Sequence, residues 1–87
     1  MDALETFRIQ IDNIDKDLVK LLEERFRICL SIGQYKKENG LEVLNEAREK
    51  QVIEKNLSLL QNHTFKPNIE EVLITIMAES RKLQNKL

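Results

Sequence analysis

Three features of the sequence predict an all-helical chain. A heptad-spaced apolar seam runs through its first half, and 87 residues contain only two glycines, one proline and no tryptophan. Strand-like patterning is confined to the short run Leu41–Leu44. The seam reads Leu4, Phe7, Ile11, Ile14, Leu18, Leu21, Arg25, Ile28, Ile32, Tyr35, in alternating steps of three and four, as in a helix that packs against other helices. The predicted architecture is three helices, the first very long, in a single domain over residues 1–87.

The first helix is expected from about Asp2 to Asn39, ending on the left-handed cap pair Asn39-Gly40. Its length would be roughly 55 Å, more than a small globule covers unaided. Its middle is apolar on more than one side, through Leu18, Val19, Leu22, Phe26, Cys29 and Leu30, which fits several neighbouring helices. After the connection Gly40–Leu44, Asn45 is a favoured N-cap. The second helix then carries Glu49, Ile53, Leu57 and Leu60 on one face. Gln61–Lys66 reads as a loop, with His63 a solvated member of it, because no second His is present to share a metal. Pro67 or Asn68 opens the third helix, whose stripe is Ile69, Leu73, Ile76, Ser80, Leu83, Leu87. Ser80 and Gln84 stand one turn apart on or beside that stripe, where plain packing favours leucine or alanine.

So short a chain buries a modest core and invites help from oligomerisation. Cys29 is the only cysteine, so no disulfide forms within the chain. It reads as a small core residue in a reducing cytoplasm, with no export signal among the charged first residues. Fourteen Lys and Arg against fifteen Asp and Glu argue against nucleic acid or an anionic membrane as the main partner. Positive charge that matters is local.

Arg25 is the local charge that stands out, because it occupies a seam position that should be apolar. A guanidinium there requires an anionic partner or stays expensively buried, and the seam itself holds no Asp or Glu, which points to a ligand as the partner. Lys36 lies eleven residues on, within about 20° around the helix and roughly 16 Å along it, a spacing suited to the two ends of a small dianion. Arg8, one position past Phe7, is about 25 Å from Arg25 on the same helix. It would approach the pair only from a second copy, in an antiparallel isologous crossing centred near residue 19 or 20. Arg48 and Glu49 open the second helix beside the Asn45 cap, where free N–H groups and the dipole also favour an anion. There is no Ser/His/Asp or Cys/His set, no metal cluster and no glycine-rich phosphate loop. Such a set can bind a small polyanion and stabilise developing charge. Equally, an arginine at a heptad position can serve only to fix register or oligomeric state, with Arg8 and Lys36 snorkelling to water.

The ordered series Phe7-Arg8-Ile9-Gln10-Ile11-Asp12-Asn13-Ile14-Asp15, Leu21-Leu22-Glu23-Glu24-Arg25, Ile32-Gly33-Gln34-Tyr35-Lys36, Arg48-Glu49 and Glu79-Ser80-x-x-x-Gln84 resembles the all-helical class of chorismate mutases over essentially the full length. The resemblance implies an intertwined homodimer that converts chorismate to prephenate without a cofactor. It implies that Arg25 and the second copy's Arg8 clamp the two carboxylates, and that Lys36 and Gln84 donate to the ether oxygen of the breaking bond. Glu49 and the Asn45 region match positions that receive the ring hydroxyl, while Arg48 and Ser80 match further polar lining. Many members carry Asp where this chain has Asn45. The alternatives are an isochorismate-pyruvate lyase on the same scaffold, against which Glu49 argues, and a non-catalytic dimerisation or effector-binding domain. Domains of this class are often fused to other enzymes of aromatic amino-acid synthesis.

Overall fold

The helices form where capping and periodicity place them. A computed structural model describes residues 2–87, with helix α1 over Ala3–Glu38, α2 over Glu46–Leu57 and α3 over Lys66–Asn85. Asp2 caps α1 by accepting from the Glu5 N–H at 2.8 Å, and Lys36 and Lys37 in the last turn complement its dipole. Gly40 follows with φ 65°, the left-handed conformation that glycine adopts without strain. Asn45 caps α2 by accepting from the Arg48 N–H at 3.0 Å.

Two local expectations are corrected. The segment expected to be loop from Gln61 to Lys66 contains a 3-10 turn, His63–Phe65, which runs directly into α3, so Lys66 is already helical and Pro67 sits in the first turn. Asn62 seeds that turn by accepting from the Thr64 N–H at 3.0 Å. The second helix stops at Leu57, so Leu60 lies beyond it in a turn. As expected, Leu41–Leu44 lies in the connection between the first two helices, without forming a strand.

Helix α3 is the hub, packing against both α1 and α2. It meets only the second half of α1. From Asp2 to Leu21 every residue of the chain is exposed, whereas Leu22, Phe26, Cys29, Gly33 and Lys36 are buried or half-buried. That second stripe also steps by four and three, displaced by one residue from the seam. The helix therefore carries two apolar faces, and α3 covers the one the seam did not mark. On α3 the buried residues are Met77, Ser80 and Gln84; Ile69 and Leu87 of the expected stripe are exposed.

The seam itself is uncovered: its apolar members from Leu4 to Tyr35 are 44–61% exposed. Cys29 and Met77 are the buried hydrophobics, and no large side chain among the described residues is fully buried. The chain measures 56 × 25 × 15 Å with a radius of gyration of 16.2 Å, against about 12 Å for a compact domain of this length. Its surface of 7206 Å² exceeds the ~5,400 Å² expected of a folded monomer of this mass. No helix among the described residues is long and apolar enough to cross a membrane.

Candidate active site

Where the second half of α1 lies against α3, with the start of α2 alongside, the three helices enclose a cleft of about 150 Å³. Its lining includes Arg25 and Lys36 from α1, Asn45, Arg48 and Glu49 from the start of α2, and Ser80 and Gln84 from α3. Seven of the eight residues singled out in the sequence thus meet in one place. Arg8 does not: it is exposed on the uncovered part of α1, about 25 Å from Arg25 along the helix. The apolar walls come from Cys29, Ile32, Val43, Val52 and Met77.

Each polar side chain is held by a neighbour that leaves part of its capacity unused. Arg25 donates from Nη1 to Ser80 Oγ at 3.1 Å, and the Ser80 hydroxyl gives its own proton to the Ile76 carbonyl at 2.8 Å. The same nitrogen lies 3.7 Å from Cys29 Sγ. Its partners are therefore neutral, and the guanidinium keeps its full charge for a ligand. Lys36 Nζ donates to the Val43 carbonyl at 2.8 Å, which secures the connection before Asn45 and uses one of three N–H groups. Gln84 is buried and donates from Nε2 to the Cys29 carbonyl at 2.8 Å, keeping a second N–H. Gly33 makes that seat possible, because a Cβ there would fall 2.8 Å from Gln84 Cγ. Arg48 is turned to Gln51 on its own helix, donating to Oε1 at 3.0 Å.

One cleft residue escaped the sequence reading. Arg81 lines the cleft and its Nη1 lies 2.5 Å from both carboxylate oxygens of Glu49. The signal for its position was present: Met77, Ser80, Arg81 and Gln84 follow the spacing i, i+3, i+4, i+7 of one helical face. What the spacing lacked was the partner, which is 32 residues away on another helix. With Arg81 the cleft holds four cations and one carboxylate, a balance made for a small polyanion.

The family model described as chorismate mutase type II matches residues 7–85. The chain belongs to the chorismate mutase type II family. The match takes in Arg8 on the uncovered part of α1 as well as the whole cleft. Among curated relatives, the bifunctional chorismate mutase/prephenate dehydratase of Buchnera aphidicola subsp. Acyrthosiphon pisum is 37% identical over 87 residues, covering 99% of this chain and 23% of that protein. The T-protein of Haemophilus influenzae is 29% identical over 86 residues, covering 98% of this chain and again 23% of the relative. The chorismate mutase of Methanocaldococcus jannaschii is 27% identical over 86 residues, 99% of this chain and 87% of its own length. The chain thus spans under a quarter of the bifunctional relatives it matches and most of the chorismate mutase from Methanocaldococcus.

Proposed function

We propose that this domain is an isomerase of aromatic amino-acid biosynthesis that converts chorismate to prephenate by a [3,3] rearrangement. The observation that carries the reading is the convergence of Arg25, Lys36 and Gln84 on one cleft, each with donors to spare, in a chain of the chorismate mutase type II family.

The reaction needs no base, nucleophile or metal. It needs the enolpyruvyl arm folded over the ring, which two carboxylate clamps supply by holding both ends of the dianion. It also needs negative charge stabilised on the ether oxygen as C–O cleavage runs ahead of C–C formation. Lys36 and Gln84 are the donors for that oxygen, and because both are already fixed by backbone carbonyls they need little reorganisation. Arg25 binds one carboxylate, with Ser80 holding its guanidinium and Arg48 nearby. Glu49 and Asn45 receive the ring hydroxyl. Glu49 favours this substrate over the isochorismate-pyruvate lyase reaction, since recognition of a ring hydroxyl at that position fits chorismate.

The second carboxylate clamp is Arg8 of a second copy. The uncovered seam, the excess surface and the elongated shape all support an intertwined homodimer in which two α1 helices cross antiparallel. A cleft of 150 Å³ is also smaller than the roughly 300–1,000 Å³ of a typical small-molecule site, which suits a site completed from outside the chain. The lone buried Cys29 suits work in the reducing cytoplasm.

The test is direct. Adding chorismate to the purified protein should give loss of its absorbance, with prephenate identified by mass and NMR. Salicylate and pyruvate from isochorismate, without prephenate from chorismate, would establish the lyase instead. Absence of turnover on either substrate would leave a binding or dimerisation domain.

A further inference from the structure

The acceptor proposed for the ring hydroxyl is already engaged. Arg81 Nη1 sits 2.5 Å from each oxygen of Glu49, joining the first turn of α2 to the last turns of α3, and the two side chains are 32% and 26% exposed. Arg48 is the nearer counter-charge in sequence, but its Nη1 is turned to Gln51 on its own helix and it makes no ion pair with Glu49. Arg81 is therefore the cation that answers Glu49.

We infer that Arg81 is a positioning residue for substrate recognition, which holds the Glu49 carboxylate as a hydroxyl acceptor and cancels its charge toward a dianionic ligand. A bare carboxylate in this cleft would work against the binding that Arg25 and Lys36 provide, because like charges in a partly desolvated site repel strongly. Pairing removes the repulsion without removing the acceptor. A carboxylate offers about four lone-pair sites, and a single guanidinium nitrogen between the oxygens leaves room for a hydroxyl. Only Nη1 makes the contact, so the fork is not fully consumed by Glu49. The same bond fixes α2 beside α3, which aligns Asn45 and Glu49 with Gln84 across the cleft.

This inference rests on the mutase reading, and the experiment separates the two. The expected effect of Arg81→Met is a rise in KM for chorismate of tenfold or more with kcat within threefold of the parent, the pattern of lost uniform binding. Arg81→Lys restores the charge and should hold KM within threefold. The deciding variant is the double substitution Arg81→Met with Glu49→Gln. If Arg81 cancels a charge, removing that charge should recover KM at least threefold relative to Arg81→Met alone. If Arg81 is only a clip between α2 and α3, the second substitution recovers nothing. Should Arg81→Met lose its helical circular dichroism, Arg81→Gln serves the same comparison, since it still donates across the junction but is neutral. No recovery in the double variant, or a fall in kcat in place of the rise in KM, overturns the inference while the mutase reading stands. A parent that does not turn over chorismate overturns the mutase reading, and the inference with it.

Discussion

Helix α1 is two regions in one element. From Leu22 to Glu38 it is packed by α3, and on that stretch the side chains facing the cleft are Arg25, Cys29, Ile32 and Lys36. From Ala3 to Leu21 all of it is exposed. The seam runs unbroken through both. In the packed half it admits a charged residue, Arg25, which is satisfied by Ser80 across the helix interface. In the uncovered half it is purely apolar, with Leu4, Phe7, Ile11, Ile14 and Leu18 each about half exposed. Burying one such side chain completely is worth about 1.5–3 kcal/mol, so the uncovered half has much to gain from a partner helix. The comparison teaches that the packed half holds the candidate cleft while the uncovered half offers the surface on which the proposed dimer would assemble, with Arg8 the one candidate site residue on that side of the divide.

The largest expected effect comes from charging the uncovered half. Leu18 lies beside the proposed two-fold axis, so Leu18→Glu would bury two like charges close together in the dimer. An unpaired buried charge costs about 3–5 kcal/mol, and dimerisation is linked to folding in such an assembly. The variant should sediment as a monomer with reduced helicity and lose more than ~100-fold in activity by that estimate. If Leu18→Glu remains fully active and folded, the uncovered half has no role in assembly.

Complementation reads the divide itself. Arg8→Ala and Arg25→Ala should each be inactive as homodimers. In a heterodimer of the two, one site collects both lesions and the other none, so unfolding and re-associating the mixture should restore one working site per heterodimer. Activity that stays at background in verified heterodimers would show that Arg8 does not serve the other copy's cleft.

The helices were legible because their signals are local. Asp2, Asn45 and Gly40 act within one turn of their own positions, and Arg25 announced itself as the one charge on an otherwise apolar period of three and four. The second face of α1 was legible only as apolar width through Leu22, Phe26 and Cys29, because these residues, with Gly33 and Lys36, keep the same period one residue out of step. Two interleaved stripes on one helix leave the sequence ambiguous about which neighbour takes which. The candidate site residues came from the seam and from the family resemblance, and the cleft gathers seven of the eight. Arg81 was not legible, since a cation on an exposed-looking helix acquires meaning only when folding brings Glu49 to it from 32 positions away. The role of Gly33 was hidden for the same reason: a missing side chain shows its purpose only through what lies against it.

Gly33 gives the smallest effect and the sharpest comparison within the packed half. A Cβ at this position would stand 2.8 Å from Gln84 Cγ, 3.2 Å from Gln84 Cβ and 2.9 Å from Leu87 Cδ1. Leu87 can yield, because the atom is the tip of a flexible side chain. Gln84 cannot yield as easily, because Cβ and Cγ are its root and moving them shifts the amide bonded to the Cys29 carbonyl. Overpacking of this kind costs about 1–3 kcal/mol, while replacing glycine by alanine inside a helix returns about 0.5–1 kcal/mol. Gly33→Ala should therefore be folded and dimeric, with a net loss of about 0–2.5 kcal/mol that lowers the melting temperature by up to ~20 °C. Its kcat should nevertheless fall by roughly tenfold, as expected when a preorganised donor worth about 3 kcal/mol is partly misplaced, and KM should change less. Measuring kcat and KM beside thermal unfolding separates the outcomes. A Gly33→Ala protein with parental kcat would mean that Gln84 does not act from its seat against α1, and that its donation to the ether oxygen is wrongly assigned.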